Sequence, residues 1–360
     1  MWYRAGVDEP DALPPPPYGP REIVYRWDLD KTYLRTEFDS VRDLLRTAFE
    51  TAAEKKTVPG AAALLREIRG SDPAGIYILS GSPEQMRRVL EAKLRLDGIR
   101  WDGLVLKPQL KNILRGRFRF VKDQIGYKLA ALLDTRASMP SRTLEYAFGD
   151  DAEADAFIYT LYTDLCRGRV EPRVLMDILE SAGVYPDAIP RIVRTAERIP
   201  RGGGAIRIFI HLDRVSAPSA FEEFGSRVCP FHNYLQPACV LLEHGVLEPL
   251  AVLRVAAELV IHHGFTADAL VASYLDLVAR GQLGRGAAER LCLFLEEVDD
   301  SLLSGTGPVL RAFGRQLARE CPASLRAPPP PPSASVDWLG LLARDRARAR
   351  AAKRRSQGKG

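Results

Sequence analysis

Two aspartates stand two residues apart at the end of a short hydrophobic run, a spacing that can support chemistry. The stretch YRWDLDKTYL places Asp28, Asp30 and Thr32 directly after the run EIVYRW. One carboxylate can attack as a nucleophile, and the second can protonate a leaving oxygen and later activate water. Because close carboxylates repel each other, the pair also favours a hard divalent cation such as Mg²⁺, which prefers oxygen ligands.

Further polar side chains follow other hydrophobic runs. Ser80 and Gly81 end the run in YILSGS, and Lys128 lies in GYKLAALL. Asp150 and Asp155 belong to GDDAEAD, at the end of the run RTLEYAF. Ligands of a parallel α/β sheet bind outside the carboxyl ends of its strands, so we expect these residues to meet at one rim. Carboxylates, a lysine and a cation together suit phosphoryl transfer, because positive charge stabilises the transferred group.

The elements that would position these residues alternate between strands and helices. Short runs rich in Ile, Val, Leu and aromatic residues predict strands at 22–27, 75–80, 102–107 and 142–150. Helical spacing of apolar residues predicts helices at 40–56, 58–70, 82–98, 123–136 and 153–170. This alternation predicts an α/β fold, a Rossmann-like parallel sheet with helices on both faces.

The character of the chain changes near residue 170. Helix-like segments dominate from there on, with one run at 205–212 that could form a strand. We therefore predict a Pro-rich disordered segment at 1–20, an α/β domain at 21–170, a mainly α-helical accessory domain at 171–326, and a polyproline linker with a basic tail at 327–360.

The basic charge of the chain is concentrated in its tail. The formal net charge is +5, and residues 344–360 hold eight Lys and Arg against one Asp. Such a tail can bind an anionic membrane surface, and we expect it to be separate from the catalytic residues. No specific recognition of nucleic acid is expected, because the basic charge does not lie on a folded face. The oligomeric state stays open at this point.

The composition is that of a globular protein in a reducing compartment. Hydrophobic residues make up 46% of the chain, and no apolar run reaches the roughly 18–20 residues that span a bilayer. The five cysteines include no C-x-x-C pair, which argues against a disulfide framework. We therefore expect a cytoplasmic protein, with peripheral membrane contact through the tail as a further hypothesis.

Taken in order, four segments resemble the motifs of the haloacid dehalogenase (HAD) superfamily of aspartate-nucleophile phosphatases. DLDKT resembles D-x-D-x-T, ILS resembles a strand that ends in Ser or Thr, Lys128 fits the motif lysine, and GDDAEAD resembles G-D-x₄-D. Over 21–165 the chain is most similar to the catalytic domain of the actin-patch type phosphatidate phosphatases, in DLDKTYL, YILSGSPEQM and FGDDAEADAFIY. It departs from that family at Lys31, at Gly81 and at Ala156-Phe157, which weakens the transfer of lipid specificity.

The resemblance implies roles in catalysis and metal binding. Asp28 would be the nucleophile and a Mg²⁺ ligand. Asp30 would be the general acid and base, with its backbone carbonyl on the metal. Asp150 would bind the metal, and Asp155 would act at the metal directly or through water. Lys128 would steady the nucleophile and the charge of the phosphate.

The resemblance also implies a phosphate-binding group, formed by Ser80, Gly81 and Thr32. Ser80 would bind the phosphoryl oxygens, and Thr32 would support the loop. Two other lysines, Lys107 and Lys122, compete with Lys128 for the motif position.

These inferences favour a Mg²⁺-dependent phosphohydrolase that forms an aspartyl phosphate. The segments between Thr32 and VPG, and at 107–122, are too short for a closed cap domain. A lipid or another bulky phosphomonoester is therefore the favoured substrate. The alternatives are a small-metabolite phosphatase of the same type and a non-catalytic binding protein with the same fold. Asp151 competes with Asp155 at the metal, although the G-D-x₄-D spacing favours Asp155.

Overall fold

In the computed structural model, the described residues are 22–30, 32–33, 57–107, 124–213, 216–321 and 336–357. The predicted segment at 1–20, the predicted helix at 40–56, Lys31 and Lys122 lie outside them. The proline run at 328–332 also lies outside the described residues.

The centre of the described chain is a sheet of six parallel strands in the order β3-β2-β1-β4-β5-β6. The strands are β1 (Ile23–Asp28), β2 (Gly75–Pro83), β3 (Gly103–Lys107), β4 (Leu144–Asp150), β5 (Gly204–His211) and β6 (Val228–Phe231). The chain runs outward from β1 through β2 to β3, and then returns to the other side of β1 with β4. This reversal makes the gap between β1 and β4 a topological switch point, where open α/β sheets bind ligands.

Twelve α-helices occur among the described residues. They are α1 (Ala61–Gly70), α2 (Arg87–Leu96), α3 (Gln124–Arg136), α4 (Asp155–Cys166), α5 (Pro172–Ser181), α6 (Ile189–Arg198), α7 (Leu235–Glu243), α8 (Pro249–His263), α9 (Ala267–Ala279), α10 (Gly286–Glu297), α11 (Gly307–Glu320) and α12 (Trp338–Gln357). None of these helices combines the length and the apolar character needed to cross a membrane.

Helices cover both faces of the sheet. On one face, Tyr25, Trp27, Tyr146 and Phe148 belong to a core shared with α1, α2 and α7–α11. On the other face, residues such as Ala147 belong to a core shared with α3–α6 and α12. Trp27 stacks on Phe148 with ring centroids 3.9 Å apart, which ties β1 to β4 on the first face. Strands buried on both faces read as continuous apolar runs, and every residue of β1 and β4 is buried.

The parallel α/β sheet with helices on both faces confirms the predicted architecture at this level. The sheet, however, continues beyond the predicted boundary at residue 170. The run at 205–212 forms β5, and the unpredicted β6 pairs with it. Residues 171–326 therefore contribute two strands to the same sheet, because the runs AIRIFIH and VCPF are almost wholly buried in it.

The basic tail is also less separate than its charge suggested. It forms α12, and Trp338, Leu341 and Leu342 of this helix are buried in the same core as α4 and α5. The expectation that the tail stands apart from the folded chain is therefore wrong for residues 336–348. Because this segment is rich in basic residues, its sequence gave no indication of the few apolar residues through which α12 packs on the core.

Candidate active site

The carboxyl ends of β1 and β4 bring the predicted acidic residues together at the switch point. Asp28 is the last residue of β1, and Asp150 is the last residue of β4. Asp155 begins α4 in its first turn, where the helix dipole stabilises a negative charge. All three side chains are buried. The polar rim predicted from the strand ends is present in the fold.

Lys128 of α3 lies at the centre of these carboxylates. Its Nζ is 2.7 Å from Asp28 Oδ1, 2.5 Å from Asp155 Oδ1 and 2.8 Å from Glu153 Oε2. The lysine side chain is fully buried, so its contacts form in a low dielectric and are strong. Thr32 Oγ1 donates a hydrogen bond of 3.3 Å to the other oxygen of Asp28.

Three of the carboxylates are arranged as a metal site would require. Oxygen atoms of Asp28, Asp150 and Asp155 all lie within 4.8 Å of one another. Among the described residues, Lys128 contacts Asp28, Asp155 and the half-buried Glu153, so carboxylates outnumber the lysine at this buried place. Uncompensated buried charge is costly, so a cation or bound protons must balance it. An all-oxygen donor set of this kind suits Mg²⁺, Ca²⁺ or Mn²⁺.

The pKa values of Asp28, Asp155 and Lys128 shift in the directions expected for a buried group in which carboxylates outnumber lysines. Burial raises the pKa of Asp28 well above its usual range; Lys128 lowers it, and the carboxylates of Asp155, Glu153 and Asp150 raise it. Burial likewise raises the pKa of Asp155 against the lowering effect of Lys128. Burial lowers the pKa of Lys128, but Asp155, Asp28 and Glu153 raise it well above its usual range. The lysine therefore stays charged.

Asp30 lies beside the triad and is held by two hydroxyl groups. Ser80 Oγ donates to Asp30 Oδ2 at 2.7 Å, and Ser82 Oγ lies 3.2 Å from Oδ1 and 3.3 Å from Oδ2. The Ser82 amide donates to Ser80 Oγ at 3.0 Å and fixes that hydroxyl. Burial raises the pKa of Asp30, while the hydrogen bond from Ser80 lowers it. The net rise favours a protonated carboxyl, as a general acid requires.

The turn after β4 is built around Asp150. Its Oδ1 accepts hydrogen bonds from the amides of Ala152 at 2.6 Å and Glu153 at 3.0 Å. The Asp150 amide in turn donates to Asp155 Oδ2 at 3.1 Å. A Cβ on Gly149 would lie 2.5 Å from Asp155 Cβ. The G-D-x₄-D spacing thus has a steric cause, since only glycine lets Asp155 fold back onto the strand end.

The structure separates the competing site residues. Lys107 is buried at the end of β3 with its Nζ 5.5 Å from the centre of the Tyr127 ring, whereas Lys128 contacts Asp28 directly. Asp151 Oδ2 accepts from the Ser216 amide at 3.0 Å and is not part of the triad. Gly81 is close to Gln124, whose Nε2 would lie 3.1 Å from a Cβ at that position.

Sequence reasoning missed three residues around this centre. Glu153 reaches Lys128 and also accepts from Gln124 Nε2 at 3.0 Å. Ser82 lies two residues after Ser80, so both point to one side of an extended strand, and this spacing could have revealed it. Tyr234, just before α7, donates its hydroxyl to the backbone carbonyl of Thr32. No local signal marks Tyr234, because that contact joins residues 202 positions apart.

Comparisons of the chain with protein-family models, with curated proteins and with solved structures found no match.

Proposed function

We propose that this protein is a Mg²⁺-dependent phosphohydrolase of the HAD type, which uses Asp28 as its nucleophile. The observation that carries this function is the buried group of Asp28, Asp150, Asp155 and Lys128 at the switch point, with Asp30 close by. Motif resemblance supports the same reading, since the four motif segments supply these residues in order. A purely structural cluster would have no need for so large an excess of carboxylates in a buried place.

The residues present fit a divalent metal ion. Three buried carboxylates with oxygens within 4.8 Å of one another form a hard, acidic donor set. Asp28, Asp150 and Asp155 would hold the ion, and the backbone carbonyl of Asp30 is a further predicted ligand. When bound, Mg²⁺ offsets the negative charge of the phosphoryl group and of the carboxylates around it.

In the first half-reaction, Asp28 attacks the phosphorus of a phosphomonoester. A bond forms between a carboxylate oxygen of Asp28 and phosphorus, and the bond from phosphorus to the ester oxygen breaks. The raised pKa of Asp30 suits the transfer of its proton to the departing oxygen, which leaves as an alcohol. The products of this step are the aspartyl phosphate and an ionised Asp30.

In the second half-reaction, the ionised Asp30 accepts a proton from water. The water oxygen attacks phosphorus, and the bond to the Asp28 oxygen breaks, which releases inorganic phosphate and restores Asp28. Ser80 and Ser82 orient Asp30 in both steps through their hydroxyl contacts. The Lys128 ammonium lies 2.7 Å from Asp28 and lowers the pKa of this carboxyl against the larger raising effect of burial, which favours the ionised form that attacks.

The substrate class follows from motif resemblance more than from the described residues. A lipid phosphate or another bulky phosphomonoester is favoured, and a small phosphorylated metabolite is the alternative. A screen with Mg²⁺ against phosphatidate, phosphopeptides and sugar phosphates distinguishes them. Release of phosphate from one class is the expected result. A folded protein that binds Mg²⁺ and hydrolyses none of them would favour a non-catalytic binding role instead.

A matched pair of variants tests the metal site. Asp155→Asn should abolish Mg²⁺-dependent hydrolysis, because it removes a carboxylate from the triad. Asp151→Asn should retain activity, since its side chain faces the Ser216 amide and an amide oxygen can accept the same bond. Phosphate release and a Mg²⁺ titration are measured for both. Equal loss in the two variants would contradict the assignment of Asp155 to the metal.

A further inference from the structure

The tail helix α12 reaches the turn that carries the acidic motif. Arg348, ten residues into this helix, extends to the segment between β4 and α4. Its Nη1 lies 2.8 Å from the backbone carbonyl oxygen of Asp151, and its Nη2 lies 3.5 Å from that of Glu153. The guanidinium group therefore spans the turn whose two ends supply Asp150 and Asp155.

The guanidinium group is itself held in place. Asp345 Oδ1, on the preceding turn of α12, lies 2.8 Å from Arg348 Nη2 and 3.3 Å from Nε. The ring of Phe221 lies under the guanidinium, 4.5 Å from ring centre to Cζ, a cation–π contact. The Asp345 side chain is only 1% exposed, and a buried carboxylate is tolerated when it is paired in this way.

The turn is thus fixed through both kinds of backbone group. Its amides at Ala152 and Glu153 bind Asp150 Oδ1, and its carbonyls at Asp151 and Glu153 bind Arg348. The Glu153 side chain leaves the same turn towards Lys128. Any shift of the turn would move Asp150 and Glu153 together, and with them the balance of charge around Asp28.

We propose that Arg348 is a positioning residue for the acidic turn at 150–155. It holds the carbonyls of Asp151 and Glu153 so that the carboxylates of Asp150 and Asp155 keep the separation that a metal ion needs. The consequence for metal affinity rests on the proposed function, but the effect on the turn does not. A guanidinium is required here, because one planar group must reach two carbonyls and a carboxylate at once.

The test uses the full chain with Arg348→Ala and a matched control, Arg346→Ala. Arg346 lies on the same helix and also donates to two backbone carbonyls, those of Ser181 at 2.9 Å and Ala182 at 2.6 Å. Both variants lose one charge and one arginine–carbonyl bridge from α12, and Arg348→Ala also loses the ion pair with Asp345 and the contact with Phe221. Only Arg348→Ala removes the bridge to the acidic turn.

Two readouts are measured on each protein. Hydrogen exchange of the amides at 152 and 153, without metal, should become at least about tenfold faster in Arg348→Ala and stay unchanged in Arg346→Ala. A Mg²⁺ titration followed by thermal shift should give about tenfold weaker affinity in Arg348→Ala, the size of loss seen when groups that orient metal ligands are removed. Arg348→Lys should fail to restore either property.

The outcomes separate the two inferences. If the wild-type protein shows no Mg²⁺-dependent thermal shift, the proposed metal-dependent function fails, while hydrogen exchange still judges Arg348. If amide exchange in the turn is the same in folded Arg348→Ala and in wild type, Arg348 does not position the turn. Should Arg348→Ala not fold, Arg348→Lys carries the test, and normal exchange and affinity in that variant would overturn the inference.

Discussion

Two buried charge clusters share the same strands and helices, yet they are built in opposite ways. The carboxylate cluster comprises Asp28, Lys128, Asp150, Glu153 and Asp155 at the carboxyl edge of the sheet. The arginine network lies towards the other end of β1 and β4 and comprises Arg26, Arg136, Glu145 and Tyr162. β1 and β4 supply both clusters, α3 supplies Lys128 and Arg136, and α4 supplies Asp155 and Tyr162.

The arginine network satisfies most of its own groups, although Arg136 Nε has no hydrogen-bond partner among the described residues. Glu145 Oε2 accepts from Arg26 at 2.7 Å, and Glu145 Oε1 accepts from Arg136 at 3.2 Å and from Tyr162 at 2.8 Å. Arg136 also donates to the carbonyls of Thr143, Ser141 and Gly202. Cations outnumber the anion, and carbonyl oxygens supply the remaining acceptors. A network of this kind supports the fold.

The carboxylate cluster has the opposite composition, since among the described residues it consists of four carboxylates and one lysine. The difference teaches that burial alone does not identify a functional site. What distinguishes the edge cluster is an excess of negative charge at the place where the strand order reverses. Under the proposed function a cation would offset that charge, whereas the arginines of the network donate to carbonyl oxygens of the chain itself.

The largest effect is expected at the nucleophile. Asp28→Asn should lower phosphate release by at least about a thousandfold, because an amide cannot form the acyl phosphate. The fold should persist, since the substitution removes a negative charge from a cluster with too many. Phosphatase activity and thermal unfolding are measured together. Activity close to that of wild type would contradict the proposed mechanism.

Removal of the central anion of the arginine network should affect stability instead. Glu145→Ala leaves Arg26 and Arg136 buried without their carboxylate, and breaking a buried pair in this way costs about 3–5 kcal/mol of unfolding free energy. Urea unfolding measures the loss. The control is Asp134→Ala, whose pair with Arg191 is exposed and should change stability by about 0.5 kcal/mol or less. Similar losses of unfolding free energy in Glu145→Ala and Asp134→Ala would show that the buried network stabilises the fold no more than an exposed ion pair does.

The next effect concerns the dependence of unfolding free energy on pH and on Mg²⁺, which should distinguish the carboxylate cluster from the arginine network. Burial raises the pKa of Asp28, Asp30 and Asp155 in the fold. Their contribution to stability is therefore full below the unfolded pKa near 4 and is lost as pH rises through the folded values. In EDTA, wild type should lose more unfolding free energy than Asp28→Asn between pH 5 and pH 8. Mg²⁺ at about 100 times its Kd should restore about 2.7 kcal/mol to wild type at pH 8.

Thermal unfolding is measured for wild type and for Asp28→Asn at each pH. The informative quantity is the difference in unfolding free energy between the two proteins. Identical curves for wild type and Asp28→Asn, with and without Mg²⁺, would show that the carboxylate cluster carries no excess charge in the folded protein.

The smallest effect has the opposite dependence on pH. It comes from His244, whose ring contacts Tyr146 of β4. Burial, with a smaller contribution from the nearby Arg207, lowers the pKa of His244 to about 3. Nδ1 of this histidine is 2.6 Å from the Tyr146 hydroxyl. Because the folded pKa lies below the unfolded value, stability is lost as pH falls below about 6.5. The loss should reach about 2 kcal/mol at pH 5. In His244→Gln, calorimetry should show this part of the acid dependence removed, and an unchanged dependence would contradict it.

Much of the fold was predictable because its signals are local. The predicted strands at 22–27, 75–80, 102–107 and 142–150 lie within a few residues of β1 to β4. β6 escaped prediction because VCPF is only four residues long and contains a proline, which suits an edge strand but gives no periodic pattern. The triplet Gly202, Gly203 and Gly204 gives no periodic pattern, and all three residues have positive φ in the turn that enters β5.

The site was predictable where residues at strand ends carry the chemistry. Asp28, Asp150 and Asp155 could be assigned to one rim because parallel strands end on the same side. Lys128 could not be separated from Lys107 by sequence, since the choice depends on which face of a helix meets β1. Arg348 gave no signal, because an arginine within a run of basic residues reads as a solvated charge.

The contact between Arg348 and Asp151 joins residues 197 positions apart, and this separation matters for the newly made chain. Polypeptides are synthesised at about 5–20 residues per second, so about 10–40 s pass between the appearance of Asp151 and that of Arg348. The last two strands, β5 and β6, are made within this interval, and the sheet is complete in sequence well before Arg348 appears. Translation thus sets the time at which the acidic turn gains its contact with Arg348, which forms only after residue 348 has been added.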